Sequence, residues 1–391
     1  MGKFIYFPSF SAGEYGDKLK KDFRFKNGFS CRFYSDDFPE KYRHNQVLIT
    51  AGAHFKTDNY RDKLGLTKDN LVMGDSGGYQ IASGAMKWDI KHRDRIFKWL
   101  EENTDVAMNL DIPPRLKYTG KVKECLDISI DNFKYFADKQ SGKTDFLNVI
   151  QGDDEHSYLH WYEQVKDFSF QGWGIGGCGG SLYRFMSGLM AFFSGKEHLK
   201  PNNKYLHILG TSKISDFLIL SQLQKSISEC DSDLIVTTDS SSPSQSVVYG
   251  YYYTGFDMKK MSFKSINFPK KNESFNDLAE PTWPYHVEFD TLLKNNVSFD
   301  DLYEYEGDGA SGMVLHNFMV FKNAMDTIND YVYGHPYLLE QMVSKDMLMV
   351  LRSIDEMAKQ DNALEVFEKY KPLYTKLSNT QKEVISQHEF F

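Results

Sequence analysis

The sequence predicts an α/β fold with a parallel sheet, because short apolar runs alternate with segments of helical length. Each run is continuously apolar, as expected for strands whose two faces are both covered by helices. Seven such runs are present, at residues 47–50, 71–73, 106–110, 146–150, 173–175, 206–209 and 234–236. Seven or eight strand–helix units suit a closed barrel better than an open sheet, although periodicity alone does not decide closure.

Helices are predicted between these runs and again in the C-terminal part of the chain. Residues 89–103, 122–139 and 215–229 show the helical spacing of apolar side chains. Another amphipathic helix is predicted from apolar residues at 4-3-4-3 spacing, namely Val314, Phe318, Phe321, Met325 and Ile328. Residues 337–391 predict two or three further helices, whereas residues 255–280 are predicted to be a loop. The expected organisation is a barrel over 1–335, with a subdomain around 255–335, and a helical extension over 336–391.

Composition excludes several classes of protein. With 41% hydrophobic and 15% aromatic residues in 391, the chain can build a large core and is not expected to be disordered. The net charge of −8 does not favour a protein with a basic face throughout, although a local basic patch is compatible with it. Four widely spaced cysteines argue against a disulfide framework or a compact thiolate metal site.

No membrane association is expected from the sequence. The first ten residues lack the basic and apolar regions of a signal peptide, and the longest uncharged apolar stretch, 185–195, is too short to cross a bilayer. The prediction is a soluble protein of a reducing compartment.

Polar residues recur directly after the apolar runs, and this recurrence predicts a functional site. In parallel α/β barrels, catalytic groups lie at the carboxyl ends of the strands. A single Asp at such a position is more often a helix N-cap, but several consecutive strand ends carry such residues here. The most distinctive segment is Asp75-Ser76-Gly77-Gly78-Tyr79-Gln80, in which two glycines allow close approach of a flat ligand and Tyr79 offers a ring for stacking.

This segment resembles the DSGG(F/Y)Q motif of the tRNA-guanine transglycosylase family. Five further elements follow in the family's order, namely LDIPP at 110–114, IQG at 150–152, GIGG at 174–177, ILG at 208–210 and DSSSP at 239–243. VLHN at 314–317 resembles the family's C-terminal helix, so the likeness covers roughly two thirds of the chain. The resemblance implies a TIM (β/α)8 barrel with inserted loops and a helical C-terminal extension. It also implies a pentosyltransferase that replaces guanine in a polynucleotide by a 7-deazaguanine.

The same resemblance implies roles for individual residues. Asp239 would be the nucleophile that attacks C1′, and Asp75 the acid/base group, following the two-displacement logic of retaining glycosidases. Asp111 would accept from the Watson–Crick edge of guanine, while Gln151 and the backbone of Gly177 would serve O6. The full set of implied substrate-binding residues is Ser76, Gly77, Tyr79, Gln80, Asp111, Gln151, Gly176, Gly177, Cys178, Leu209 and Gly210.

Two of these assignments have plain structural alternatives. Leu209 would stack against the base opposite Tyr79, yet an apolar strand residue is usually core. Gln151 could be a glutamine of a surface turn. Cys178 lies just beyond the glycine pair and would neighbour the 7-substituent of the incoming base, whose cyano, aminomethyl and amido forms the sequence does not distinguish.

A nucleic-acid substrate requires contacts outside the base pocket, because a stacked purine must be extruded or presented in an unpaired strand. Candidate phosphate contacts follow the nucleophile, namely Lys259, Lys260, Lys264, Lys270 and Lys271. The alternative is a solvated charged loop, since charge runs need no partner.

The sequence departs from the family in two ways. The family's structural zinc uses three cysteines and a histidine; here His316 remains, but the segment before it has no cysteine. No metal or other cofactor is therefore expected, although His286, Glu288 and His316 could form an atypical site; a hydrogen-bonded His316 is the simpler interpretation. After Asp239 the chain also lacks the arginines that contact RNA phosphates in the family's tRNA enzymes.

These departures make the sequence similar to the DNA-modifying branch of the family, found in phages and bacterial islands. The expected partner is DNA, and the expected location is the cytoplasm, that of the host if the gene is phage-borne. The alternatives are a tRNA enzyme, a non-catalytic nucleic-acid-binding partner subunit, or an unrelated barrel hydrolase. The apolar stripe of 314–328 could support a homodimer or could be intramolecular core.

Overall fold

The computed structural model describes residues 2–10, 13–24, 30–38, 40–267 and 308–388. Eight parallel strands form the centre of the molecule. They are β1 Ile5–Pro8, β2 Gln46–Thr50, β3 Leu71–Asp75, β4 Val106–Met108, β5 Asp145–Ile150, β6 Gly172–Ile175, β7 Tyr205–Ile208 and β8 Ile235–Ser240. The strand order is β1-β8-β7-β6-β5-β4-β3-β2, and β1 also lies against β2. The sheet is therefore a nearly closed barrel, and the predicted α/β TIM-barrel class is confirmed.

Helices cover the outside of this barrel. Those that follow the strands are α1 Gly13–Lys20, α2 Ala51–His54, α3 Tyr60–Lys63, α4 Gly78–Ser83, α5 Ile90–Asn103, α6 Val122–Lys139, α7 Glu155–Val165, α8 Leu182–Ser194, α9 Ile214–Ser228 and α10 Ser242–Val248. Short 3₁₀ turns lie at Glu40–Tyr42, Leu116–Tyr118 and Glu197–Leu199. Side-chain caps begin several helices: Asp89 accepts from the backbone N–H of Lys91, and Asp154 from that of Ser157. Such caps satisfy amides that have no partner within the helix.

All seven predicted strands are present, and the sequence reasoning missed one strand of the barrel. The missed strand is β1, whose four residues are mostly buried and pair in parallel with β8. The run Phe4–Phe7 is short and is followed directly by Pro8, which obscured it as a strand. Because β1 lies between β2 and β8, it is the element that lets the sheet approach closure.

The prediction of a loop from residue 255 was wrong for the part that the structure describes. Two antiparallel strands form a hairpin there, β9 Tyr251–Asp257 and β10 Ser262–Asn267. Aromatic packing explains it: the ring of Phe263 stacks on Tyr253 at 4.7 Å and on Phe321 at 5.3 Å between centroids. The lysines of this segment pointed to a loop, whereas its aromatic residues favour a strand pair.

Four helices complete the described chain, namely α11 Asp308–Gly334, α12 Pro336–Met342, α13 Lys345–Lys359 and α14 Ala363–His388. The predicted apolar stripe lies on α11, and all five of its residues are buried against the rest of this chain. In the extension, α13 packs on α9 and α14 packs on α8. Within the described residues, no helix is both long and apolar enough to span a bilayer.

Candidate active site

A cavity of about 730 Å³ opens at the carboxyl ends of the barrel strands. This is the end at which α/β barrels carry their active sites. Ten of the predicted site residues line it: Asp75, Tyr79, Gln80, Asp111, Gln151, Gly176, Gly177, Leu209, Gly210 and Asp239. The residues come from six different strand ends that are far apart in the sequence, so closure of the barrel is what brings them together.

Asp239 lies near the end of β8 with one carboxylate oxygen held and the other free. Its Oδ1 accepts from the backbone N–H of Gly210 at 2.8 Å and lies 3.3 Å from Nε2 of His207. Among the described residues, no hydrogen bond reaches Oδ2. The side chain is 18% exposed and faces the cavity. A carboxylate with one oxygen anchored and the other open is suited to nucleophilic attack.

Asp75 ends β3 and faces the same cavity. Thr50, its direct neighbour on β2, donates from Oγ1 to Oδ2 at 2.8 Å, and the backbone N–H of Gly77 donates to Oδ1 at 3.1 Å. Burial raises the pKa of Asp75 above its ordinary value, the two hydrogen bonds oppose this, and the negative charge of Asp239 raises the pKa further. A carboxyl group with a raised pKa is a candidate for donating and recovering a proton in catalysis.

Asp111 and Gln151 form a buried polar pair on the wall of the cavity. The amide nitrogen Nε2 of Gln151 donates to Oδ2 of Asp111 at 2.8 Å. Burial raises the pKa of Asp111 to about 7, although the hydrogen bond from Gln151 lowers it. The amide oxygen Oε1 of Gln151 is buried and has no hydrogen-bond partner among the described residues. An unsatisfied buried acceptor beside a carboxyl group is costly unless a ligand supplies the missing donor.

Two glycines act by allowing backbone segments around the cavity to approach each other. A Cβ on Gly78 would lie 2.1 Å from the backbone oxygen of Asp111, and a Cβ on Gly176 would lie 2.1 Å from Nε2 of Gln151. Any larger residue at either position would displace the polar pair. Gly78, the second glycine of the DSGGYQ segment, is thus needed for packing against Asp111, and not only for ligand approach.

The two predicted stacking residues, Tyr79 and Leu209, both lie on the cavity wall. Tyr79 is 61% exposed, while Leu209 is partly buried against the core. Both the stacking role and the core role predicted for Leu209 therefore remain compatible with its position. Gln151 is buried and is not part of a surface turn.

Three predicted substrate-binding residues do not line the cavity. Ser76 is buried and donates to the backbone oxygen of Asn109, and Gly77 acts through its N–H on Asp75. Cys178 is also buried, with its thiol near the backbone oxygens of Ile175 and Gly176, and burial raises its pKa to about 12. These three residues pack beneath the cavity wall and do not line the cavity.

Three functional candidates were missed from the sequence. Thr50 binds Asp75, His207 contacts Asp239, and Arg115 lines the cavity with Nη2 3.1 Å from the backbone oxygen of Gly177. Thr50 and His207 lie within or at the end of apolar strand runs, where a polar side chain signals a polar partner in the barrel. The sequence therefore contained this signal, but it could not show the partners of Thr50 and His207, because these depend on how neighbouring strands pair.

Those predicted phosphate contacts that the structure describes do not line the cavity. Lys259 and Lys260 are in the turn of the β9–β10 hairpin, and Lys264 is on β10; no lysine of the described chain lines the cavity. The seven residues of β9 separate the turn from α10, a distance of about 20 Å along an extended strand. Lys270 and Lys271 lie outside the described residues.

His316 is buried in α11 with Nε2 2.7 Å from the backbone oxygen of Tyr253. The other two members of the atypical metal site, His286 and Glu288, lie outside the described residues. Among the residues that are described, no cluster of three His, Cys, Asp or Glu side chains is arranged to hold a metal ion.

Comparison of the sequence with protein-family models finds no match, and no curated protein shows significant similarity to it. The barrel fold and the side chains at its carboxyl end are therefore the basis on which a function can be assigned.

Proposed function

We propose that the protein is a transglycosylase that exchanges guanine in DNA for a 7-deazaguanine base through a covalent aspartyl–glycosyl intermediate. The observation that carries the proposal is the presence of Asp75 and Asp239 on one cavity whose wall also holds the Asp111–Gln151 pair. Two carboxyl groups and a polar pair suited to guanine form a set that a purely structural role does not require.

In the first displacement, Oδ2 of Asp239 attacks C1′ of the target nucleotide. The C1′–O bond forms as the C1′–N9 bond to guanine breaks, and the protonated carboxyl group of Asp75 gives its proton to the departing purine. The raised pKa of Asp75 supports this role, because it favours the protonated carboxyl group more than in an ordinary aspartate.

In the second displacement, the incoming 7-deazaguanine replaces guanine in the cavity. The Asp75 carboxylate takes the proton from N9 of the new base, N9 attacks C1′, and the ester bond to Asp239 breaks. Two inversions at C1′ retain the anomeric configuration, as in retaining glycosidases. Both aspartates return to their starting protonation states, so no external oxidant or cofactor enters the balance.

Recognition of the base follows from the chemistry of Asp111 and Gln151. Guanine presents N1–H and an exocyclic amine as donors and O6 as an acceptor. The carboxylate of Asp111 matches the donors, and the second N–H of the Gln151 amide nitrogen can donate to O6. The hydrogen bond between the two side chains holds them in a fixed relation before the base arrives.

DNA is preferred to tRNA as the polymer because of the residues that follow the nucleophile. Gln245 and Val248 line the cavity on α10, where the family's tRNA enzymes carry arginines. Helix α10 carries no arginine, so its side chains cannot recognise RNA phosphates in the bidentate way.

Trapping of the intermediate tests the proposal. The protein is incubated with guanine-containing single-stranded DNA, duplex DNA or tRNA, with and without a 7-deazaguanine, and complexes that survive denaturation are counted. We expect an adduct with DNA that disappears in Asp239→Asn. Asp233→Asn is the matched control, because Asp233 is exposed and precedes the other end of β8.

Each other outcome has a defined meaning. An adduct that persists in Asp239→Asn removes Asp239 as the nucleophile, and an adduct with tRNA alone reverses the choice of polymer. Release of guanine without incorporation of the new base indicates a hydrolase. Binding of DNA with no adduct and no exchange indicates a non-catalytic partner subunit.

A further inference from the structure

His207 is a fully buried histidine in β7 with no assigned role, and its imidazole contacts the proposed nucleophile. We infer that His207 is a positioning residue, whose Nε2–H holds Oδ1 of Asp239 so that Oδ2 points at the reacting carbon. This inference rests on the proposed function, and it extends that function to a residue outside the motifs of the sequence.

Strand register places the three side chains of this arrangement together. His207 lies directly opposite Thr237 in the parallel pairing of β7 with β8. Thr237 and Asp239 are two residues apart on β8 and therefore point to the same side of the sheet. The imidazole thus lies between them, with Nδ1 2.9 Å from Oγ1 of Thr237 and Nε2 3.3 Å from Oδ1 of Asp239.

Hydrogen-bond chemistry selects one direction for these contacts. A carboxylate only accepts, so the proton between His207 and Asp239 belongs to Nε2. In the neutral imidazole Nδ1 then accepts from the hydroxyl of Thr237, which has no other hydrogen bond among the described residues. Every ring nitrogen is satisfied in this arrangement, as a fully buried side chain requires.

The effect on Asp239 is to fix its rotation. Two donors, the backbone N–H of Gly210 and the ring of His207, converge on Oδ1. A carboxylate held at one oxygen by two donors cannot turn that oxygen towards the substrate, so Oδ2 is presented alone. Holding a nucleophile in its attack geometry before the substrate binds lowers the entropic part of the barrier.

Substitution of His207 tests this role. We expect His207→Leu to slow adduct formation with guanine-containing DNA by about 100-fold, as for loss of an aligned catalytic contact. The affinity for the oligonucleotide should change by less than about threefold, since His207 does not reach the substrate. His207→Gln keeps an N–H donor near the position of Nε2 and should recover the rate to within about tenfold of wild type.

His198→Leu is the matched control. His198 is a second buried histidine, with Nε2 3.0 Å from the backbone oxygen of Ala358, and it does not line the cavity. It should lower the melting temperature without slowing adduct formation in the folded protein. An equal loss of rate in His207→Gln and His207→Leu, or a folded His207→Leu as fast as wild type, overturns the positioning role.

A measurement on the unsubstituted protein separates this inference from the proposed function. In protein labelled with ¹⁵N-histidine, the His207 signal, assigned by its absence in His207→Gln, should show a proton on Nε2, and this signal should shift in Asp239→Asn. An Nε2 without a proton overturns the inference even if the enzyme forms adducts. Absence of any adduct in wild type overturns the proposed function, whatever the state of His207.

Discussion

Two regions of the described chain hold buried carboxyl groups with different kinds of partner. At the mouth of the barrel, Asp75 and Asp111 accept hydrogen bonds from a hydroxyl, an amide and backbone groups, and neither has an ion pair among the described residues. Where the C-terminal extension meets the barrel, Glu155 lies 2.6 Å from the ammonium group of Lys371 and accepts from the hydroxyl of Tyr183.

The pKa values follow this difference. Burial raises the pKa of Asp111 to about 7 and raises that of Asp75, because it outweighs the hydrogen bonds that oppose it. Burial would also raise the pKa of Glu155, but the hydrogen bonds from Lys371 and Tyr183 lower it to about 2. A buried carboxyl group with its own cation joins parts of the fold, whereas one without a cation remains available for proton transfer or ligand binding.

The largest expected effect is on catalysis. Asp75→Asn should reduce release of labelled guanine by about 1,000-fold, since an amide cannot supply or recover the proton. Asp69→Asn, an exposed substitution just before β3, should leave release unchanged. Guanine release that is unaffected in Asp75→Asn would assign acid/base catalysis to another group and weaken the contrast between the two regions.

The second effect is a gain in stability at the site. The pKa of Asp111 is higher in the folded chain than in the unfolded chain, so its protonation stabilises the fold at low pH. This contribution is lost as the pH rises from about 4 towards 7, and linkage bounds it at about 4 kcal/mol. In the variant Asp111→Asn, the amide oxygen can still accept the hydrogen bond from Gln151, but the side chain cannot ionise. Asp111→Asn should therefore stabilise the protein by about 2 kcal/mol at pH 8.

Thermal unfolding at several pH values measures this gain. The curves of Asp111→Asn and wild type should converge near pH 4 and separate as the pH rises, while the variant loses guanine exchange. Parallel curves over the whole range would show that the carboxyl group is not strained by burial.

The smallest expected effect is a loss of stability where the C-terminal extension meets the barrel. Lys371→Met removes the cation from Glu155, whose side chain is 4% exposed, and should destabilise the fold by about 1–2 kcal/mol at pH 7; the partial exposure of Lys371 limits the loss. Because the pKa of Glu155 is lower in the folded chain, its ionised form stabilises the fold at pH values above the unfolded pKa. This stabilisation is lost as the pH falls from about 4.5 to about 2.

The pH dependence again provides the check. The difference in melting temperature between Lys371→Met and wild type should shrink as the pH approaches 2, and guanine exchange at pH 7 should be retained in the folded variant. Loss of exchange without loss of stability would mean that the extension contributes to the site.

Much of the barrel could be predicted from the sequence, because buried parallel strands must be continuously apolar. β1 escaped detection since its run is short and ends in Pro8, and the β9–β10 hairpin escaped because its lysines suggested a loop. In the candidate site, Asp75, Asp111, Gln151 and Asp239 stood out as polar residues at strand ends, and the family resemblance implied their roles. Thr50 and His207 were not, since a polar residue in an apolar run does not reveal its partner.

The amino-acid sequence by itself determined the alternation of strands and helices and the polar character of the strand ends, because both depend on neighbouring residues. Only the tertiary structure decided which of these ends face one another. Closure of the barrel brings Asp75 and Asp239 to a single cavity, and the register of β7 against β8 puts His207 on the carboxylate of Asp239. These contacts join strands that are distant in the chain, so they depend on the packing of the whole sheet.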